Sequence, residues 1–184
     1  MDDRFSCAVA RIDDYNREDP NGKELVYGER MSACLDRFAP DAPEPLRLAA
    51  RAQHIGRWRI PRKEYPMDRR GYKAWRTQLA ELHAETTGAI LTKCGYDEDT
   101  VARVQFLLKK KALKTDPDTQ TLEDVICLVF LEYYFAEFAA PHEDEKVIQI
   151  LQRTWVKMSD AGHEAALRLP LAGRELDLVK RALA

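Results

Sequence analysis

Leu122 to Phe138, LEDVICLVFLEYYFAEF, is apolar nearly all round when wound as a helix, and a helix with no polar face has to be covered by other helices. Val125, Ile126, Val129 and Tyr133 make one side, while Leu128, Leu131 and Phe135 make another. The rest of the chain offers such cover at three-four spacing. Phe5, Val9, Ile12 and Tyr15 mark a first helix from Asp2 to Arg17, and Leu25, Met31, Leu35 and Phe38 mark a second, behind an Asn21 to Glu24 capping box. Tyr72, Trp75, Leu79, Leu82, Thr86 and Ile90 line a long helix from Gly71 to Cys94, which Gly95 closes. Asp97 can cap a helix bearing Val101, Val104, Leu107 and Leu108, and Asp116-Pro117 starts the apolar one. Val147, Ile150, Leu151, Trp155 and Met158 mark a helix in the tail. No segment alternates with period two, and there is no strand-turn-strand signal and no repeat. The pattern predicts an all-α, single-domain helical bundle over residues 1–184, with its core in 21–140 and a C-terminal helical extension over 141–184.

With 45% hydrophobic and 33% charged residues, the chain has a globular composition, and no apolar run reaches the length of a membrane span. Its first residues, MDDRFSCAVARIDDYNRED, are acidic where a signal peptide is basic, so the expected location is cytoplasmic. Cys7, Cys34, Cys94 and Cys127 are scattered without a Cys-x-x-Cys pair, which predicts buried free thiols rather than a zinc or redox motif.

The net charge of −2 hides an asymmetry. Between Arg47 and Arg76 stand ten Lys or Arg against two acids, and between Val101 and Lys114 five against none. Such a concentration on an otherwise acidic chain fits an anionic ligand, and equally a solvated basic face. Within it, LRLAARAQHIGRWRIPRK from Leu46 carries His54 beside Arg47, Arg51 and Trp58 on one helical line. Gly56, Pro61 and Pro66 then hold the following residues out of helix, giving a stiff arginine-rich loop. Arg76 and His83, two turns apart, form a second arginine-histidine pair. Lys109, Lys110 and Lys111 fall in a last helical turn, where the negative helix end explains them without a ligand.

No Gly-x-Gly-x-x-Gly, Walker loop, nucleophile elbow or His-Glu-x-x-His occurs. What remains is dispersed: His54, His83 and Asp124 on three helices, with Arg51, Arg57, Arg62 and Arg76 around them. Two imidazoles and a carboxylate suffice to hold a divalent metal with a position open to water, which predicts all three as metal ligands and catalytic residues. The four arginines would grip phosphate, since a guanidinium fork meets its oxygens two at a time. The expected ligand is a phosphorylated small molecule or nucleotide, bound and, in the enzymatic form of this reading, hydrolysed. The alternatives are packed, hydrogen-bonded histidines with Asp124 paired to an arginine, or a non-catalytic nucleotide- or RNA-binding module in which Trp58, Tyr65 and Trp75 stack bases.

The words RAQHIGRWRIPRKEYPMDRRGYKAWR, LHAE, GYDEDTVARVQFLLKKKALKTD and QTLEDVICLVFLEYYF resemble the family known as domain of unknown function 4202, over nearly the whole chain. A more remote similarity is to the HD-domain phosphohydrolases, all-α metal enzymes with a His, His-Asp, Asp pattern. That resemblance implies an HD-like bundle, placing a ligand histidine on His54, an accessory one on His83 and the last aspartate on Asp124. Ile55 stands where the aspartate of the pair would be, and the early helix offers Tyr27 and Glu29 instead of a histidine.

Overall fold

In the computed structural model, which describes residues 3–183, every regular element is helical, so the all-α expectation holds. Asp2, the first residue of the predicted first helix, lies outside the described residues. The chain divides into two compact units, Met1–Lys111 and Ala112–Ala184. The division falls at the foot of the lysine cluster, and the first helix belongs to the first unit.

In the first unit, α1 (Asp3–Arg17), α2 (Lys23–Phe38), α3 (Glu44–Arg51), α4 (Arg69–Lys93) and α5 (Glu98–Leu108) follow one another. The short α3 is the hub. Its Leu46, Leu48, Ala49 and Ala50 are fully buried, and it packs against α1, α2 and α5. Small residues at 49 and 50 let neighbouring helices come close, and Pro45 in the first turn stops nothing because that N–H has no helical partner anyway. Arg51 ties the end of the helix to α1: Nε and Nη2 donate to the two carboxylate oxygens of Asp13 at 2.7 and 2.6 Å.

The predicted starts hold at Asp97 and Asp116, whose carboxylates accept from the backbone N–H of Thr100 and Thr119, while α4 begins at Arg69 rather than the expected Gly71, capped by Asp68, which accepts from the Gly71 N–H. At the start of α2 the cap differs from the expected Asn21 box. Asp19 performs it, accepting from the N–H groups of Asn21, Lys23 and Glu24. The two oxygens of one carboxylate reach three N–H donors, whereas Asn21 has a single acceptor oxygen and its own N–H is one of the groups held.

The second unit holds α6 (Pro117–Val129), a π-helical turn (Phe130–Tyr134), α7 (Phe135–Ala139), α8 (Asp144–Lys157), α9 (Asp160–Leu167) and α10 (Gly173–Leu183). As its composition requires, α6 is buried there, through Leu122, Val125, Cys127, Leu128 and Val129. It packs against α8 and α9, and α10 closes on α7 and α8.

Cys34 and Cys127 are buried and outside any disulfide, as expected, but Cys7 and Cys94 are bonded to each other, tying α1 to the C-cap of α4. Sequence spacing could not reveal a pair that meets only through tertiary packing. The bridge closes a loop of 87 residues, and cross-links of that span stabilise by about 4 kcal/mol through the unfolded chain. Cys7→Ser should therefore lower the urea midpoint of the oxidised protein, and dithiothreitol should lower the wild type to the same value. A wild type indifferent to reductant, with four titratable thiols, would refute the bond.

Candidate functional site

The site grows from the point where α3 ends. Ala52 to Gly56 continue as tight turns, Gly56 adopts φ 69°, and the chain leaves through two 3-10 turns, Arg57–Arg59 and Arg62–Glu64. A side chain at Gly56 would be strained by that backbone and would press on the Tyr15 ring, 3.1 Å from its Cβ. Asn16 of α1 receives the Gly56 N–H. These constraints hold His54 and Ile55 inward. Ile55, in the position where an HD-type aspartate would stand, is a fully buried core residue.

His54 lies flat against Tyr27 of α2, with ring centroids 3.6 Å apart and planes 8° from parallel. Its Nε2 is 3.2 Å from Arg57 Nη1, and its Nδ1 is 3.3 Å from Glu24 Oε2. A guanidinium can only donate, so Nε2 accepts and Nδ1 carries the proton, donating towards Glu24. His83, 6.3 Å away between centroids, has Nδ1 2.6 Å from the Ile55 carbonyl. A carbonyl can only accept, so His83 also carries its proton on Nδ1, and its Nε2 is a lone pair.

Both imidazoles are held neutral. Burial, then the charge of Arg57, with His83, Arg76 and Lys110 behind, pushes His54 well below its ordinary 6.5. Burial lowers His83 to about 3, against the Ile55 carbonyl and with Arg57, Arg76 and Lys110. The one acid in contact, Glu24, is raised by burial from 4.5 to about 7, more than Arg57 can offset. Arg57 lies over the Trp75 ring, 4.7 Å from its centroid, and Trp75 donates its indole N–H to the Ile60 carbonyl.

A cavity of about 370 Å³ opens over the two histidines. Gln53, His54, Arg76, Thr77, Glu81, His83 and the three lysines 109–111 line it, with Leu79, Ala80 and Leu108 supplying apolar wall. Lys109 pairs with Glu81 at 2.6 Å, whereas Arg76 and Lys111 have no carboxylate partner among the described residues. Lys110 takes φ 50°, a left-handed turn that stops α5 and swings the cluster over the cavity.

The structure brings His54, His83, Arg57 and Arg76 together, and gives the other expected site residues partners of their own. Arg51 is spent on Asp13. Arg62 braces the loop, donating to the Tyr65 carbonyl. Asp124 lies in the second unit, where Oδ1 accepts from Ser159 N–H at 2.8 Å and Gln120 Nε2 at 3.2 Å, and Oδ2 from Ser159 Oγ at 2.6 Å. It anchors the N-cap of α9, and its buried carboxylate is satisfied by these three donors. The carboxylate beside His54 is instead Glu24. With Tyr27 it forms an i, i+3 pair on α2, a pattern visible in the sequence but absorbed there into the capping box. The lysines, too, line the cavity and do more than close α5.

A divalent ion does not suit this donor set. His54 engages both ring nitrogens, Asp124 is committed to Ser159, and the surroundings of His83 are cationic. Among the described residues no three His, Cys, Asp or Glu side chains are grouped to hold a metal.

The first unit is thus a helical protein with a cationic cavity over two uncharged imidazoles. The chain belongs to the family described as Domain of unknown function (DUF4202), whose profile matches residues 6–179. No curated protein and no solved structure matches it. Among the described residues no helix is long and apolar enough to cross a membrane.

Asp124→Ala should cost about 1 to 3 kcal/mol in urea melts by leaving the Ser159 N–H unpaired. A Cβ at Gly162 would stand 2.5 Å from Asp124 Oδ1, so Gly162→Ala should destabilise the wild type more than it destabilises Asp124→Ala. Additive losses would contradict the contact.

Glu24 gives a pH-dependent prediction. Folded, it keeps its proton up to about pH 7, while unfolded it loses it near 4.5, so its contribution to stability is present below 4.5 and lost as pH rises through 7. Glu24→Gln stays neutral. Relative to wild type it should gain, between pH 5 and pH 8, on the order of 2 kcal/mol. The histidines act oppositely, since their neutral burial is lost as a stabilising contribution on acidification below 6.5, and they leave this interval little changed at its upper end.

Proposed function

We propose that the first unit binds a phosphorylated small molecule or nucleotide in the cavity over His54 and His83. The observation that carries this reading is an excess of cations: Arg76 and Lys109 to Lys111 line the cavity, and of these Lys109 is paired with the Glu81 carboxylate that lines it too. Burial first, and then the charges of Arg57, Arg76 and Lys110, hold both imidazoles neutral, and the acid beside His54 is Glu24, half protonated near neutral pH. Like charges held together in partial burial cost free energy, which an anion seated among them recovers. Phosphate is the anion class that suits them, because Arg76 can present a two-pronged donor while the lysines supply movable point charges. The cavity volume falls in the range of small-molecule sites.

The module reading, with RNA bases on exposed aromatic rings, has less support. Trp75 is buried beneath Arg57 and donates to Ile60, and Trp58 packs against Tyr15. A metal-dependent hydrolysis on His54, His83 and Asp124 is not proposed, because Asp124 and both ring nitrogens of His54 already have partners.

Calorimetric titration with adenosine monophosphate tests the proposal. Replacing Arg76 and Lys110 together by Gln should weaken binding by about tenfold or more, since each removes a charge-assisted contact. Arg62→Gln, outside the cavity lining, should change it by less than about threefold. Equal losses that vanish in moderate salt would mean a diffuse basic surface and no site.

A further inference from the structure

The cavity is cationic at its rim but not at its floor. His83 Nδ1 is fixed as the donor by the Ile55 carbonyl at 2.6 Å, so the ring presents an Nε2 lone pair where the cavity is lined by His83. The groups facing this ring are His54 from the turn after α3, Arg57 from the first 3-10 turn, Arg76 from α4 itself and Lys110 from the end of α5, with Glu24 of α2 behind His54. Four of these five are cationic or would become so on protonation, and they oppose a second proton on His83. An anion entering the cavity therefore meets donors on one side, Arg76 and the lysines, and a hydrogen-bond acceptor on the other.

A fully deprotonated oxyanion cannot satisfy both sides. Its oxygens accept from Arg76 and the lysines, but against Nε2 two lone pairs would face each other with no hydrogen between them. A phosphomonoester can satisfy both, because its second ionisation lies near pH 6 and the monoanion carries a P–O–H. Sulfate and phosphodiesters have no such proton near neutrality. Resting on the phosphate-binding reading above, we infer that His83 is a specificity-determining residue: its Nε2 accepts from the P–O–H of a phosphomonoester monoanion, and the cavity discriminates against sulfate and phosphodiesters. No covalent bond forms or breaks. When the ligand in solution is the dianion, one proton is taken from solvent on binding and resides on the phosphate oxygen that faces Nε2.

Methyl phosphate and sulfate, titrated into the full chain by calorimetry at pH 6, 7 and 8, decide the matter. Glu24 ionises in the same interval, but its added charge weakens both anions, so the ratio of their affinities reports the shared proton. Methyl phosphate should bind about tenfold or more tightly than sulfate at pH 6, the worth of one hydrogen bond between acceptor and donor, and the ratio should shrink towards pH 8 as the P–O–H ionises. In His83→Gln the amide can turn to donate as well as accept, so the ratio should fall to within about twofold while methyl phosphate still binds. Should that variant fail to fold by circular dichroism, methyl phosphate against dimethyl phosphate on the wild type gives the same comparison. Sulfate binding as tightly as methyl phosphate at pH 6, a ratio indifferent to pH, or a ratio unchanged in a folded His83→Gln would overturn the inference while leaving the anion site standing. Failure of methyl phosphate and sulfate alike to bind would overturn the site together with it.

Discussion

Keeping two imidazoles uncharged among guanidinium and ammonium groups is the constraint on which the first unit is arranged. A protonated His54 or His83 would add a buried charge beside Arg57, and the fold excludes this by satisfying each neutral ring fully on its donor side, at Glu24 and at the Ile55 carbonyl. Those two bonds require the chain to turn sharply after α3, which the left-handed Gly56 permits and the Asn16 side chain fixes. Arg51 and Asp13 then pin α1 against α3, so the same turn is braced from both ends. The arginines near the site thus have separate roles, Arg51 and Arg62 bracing the structure while Arg76 lines the cavity.

Much of the fold is legible in the sequence because it depends on local chemistry. Three-four spacing marks the helices, and Asp97 and Asp116 sit at caps whose geometry is set by the few residues that follow them. What the sequence does not announce depends on distant partners. The Cys7 and Cys94 bond joins positions that no spacing rule connects. The division after Lys111 coincides with left-handed backbone at Lys110, Ala112 and Lys114, conformations that Lys and Ala rarely adopt and that their identity therefore does not reveal.

The candidate site is legible by residue type but not by role. His54 and His83 stand out because ionisable groups among arginines are costly, and they do meet. Asp124 stands out for a sound reason as well, since a carboxylate on the apolar face of α6 must find compensation. The compensation is local to the second unit: a backbone N–H, a hydroxyl and an amide of Ser159 and Gln120 together do what a cation would have done. A sequence reveals that a buried charge needs partners, but donors supplied by main chain and hydroxyls carry no charge signature by which to choose them over an arginine or a metal.

Lys109 to Lys111 illustrate how two explanations of one feature can both hold. Three cations at the end of α5 suit the helix dipole wherever their side chains point, and that reading needs only the geometry of the last turn. The left-handed Lys110 adds what the dipole does not contain, because it redirects the chain and lets the cluster line a cavity with His83 on another helix. A helix end satisfied by lysines alone would have no reason to accept such backbone at a β-carbon-bearing residue, for which a glycine would be the easier choice. The strained turn therefore favours the cavity as its cause: conformations of this kind persist where surrounding structure fixes them, and they gather where side chains must be aimed.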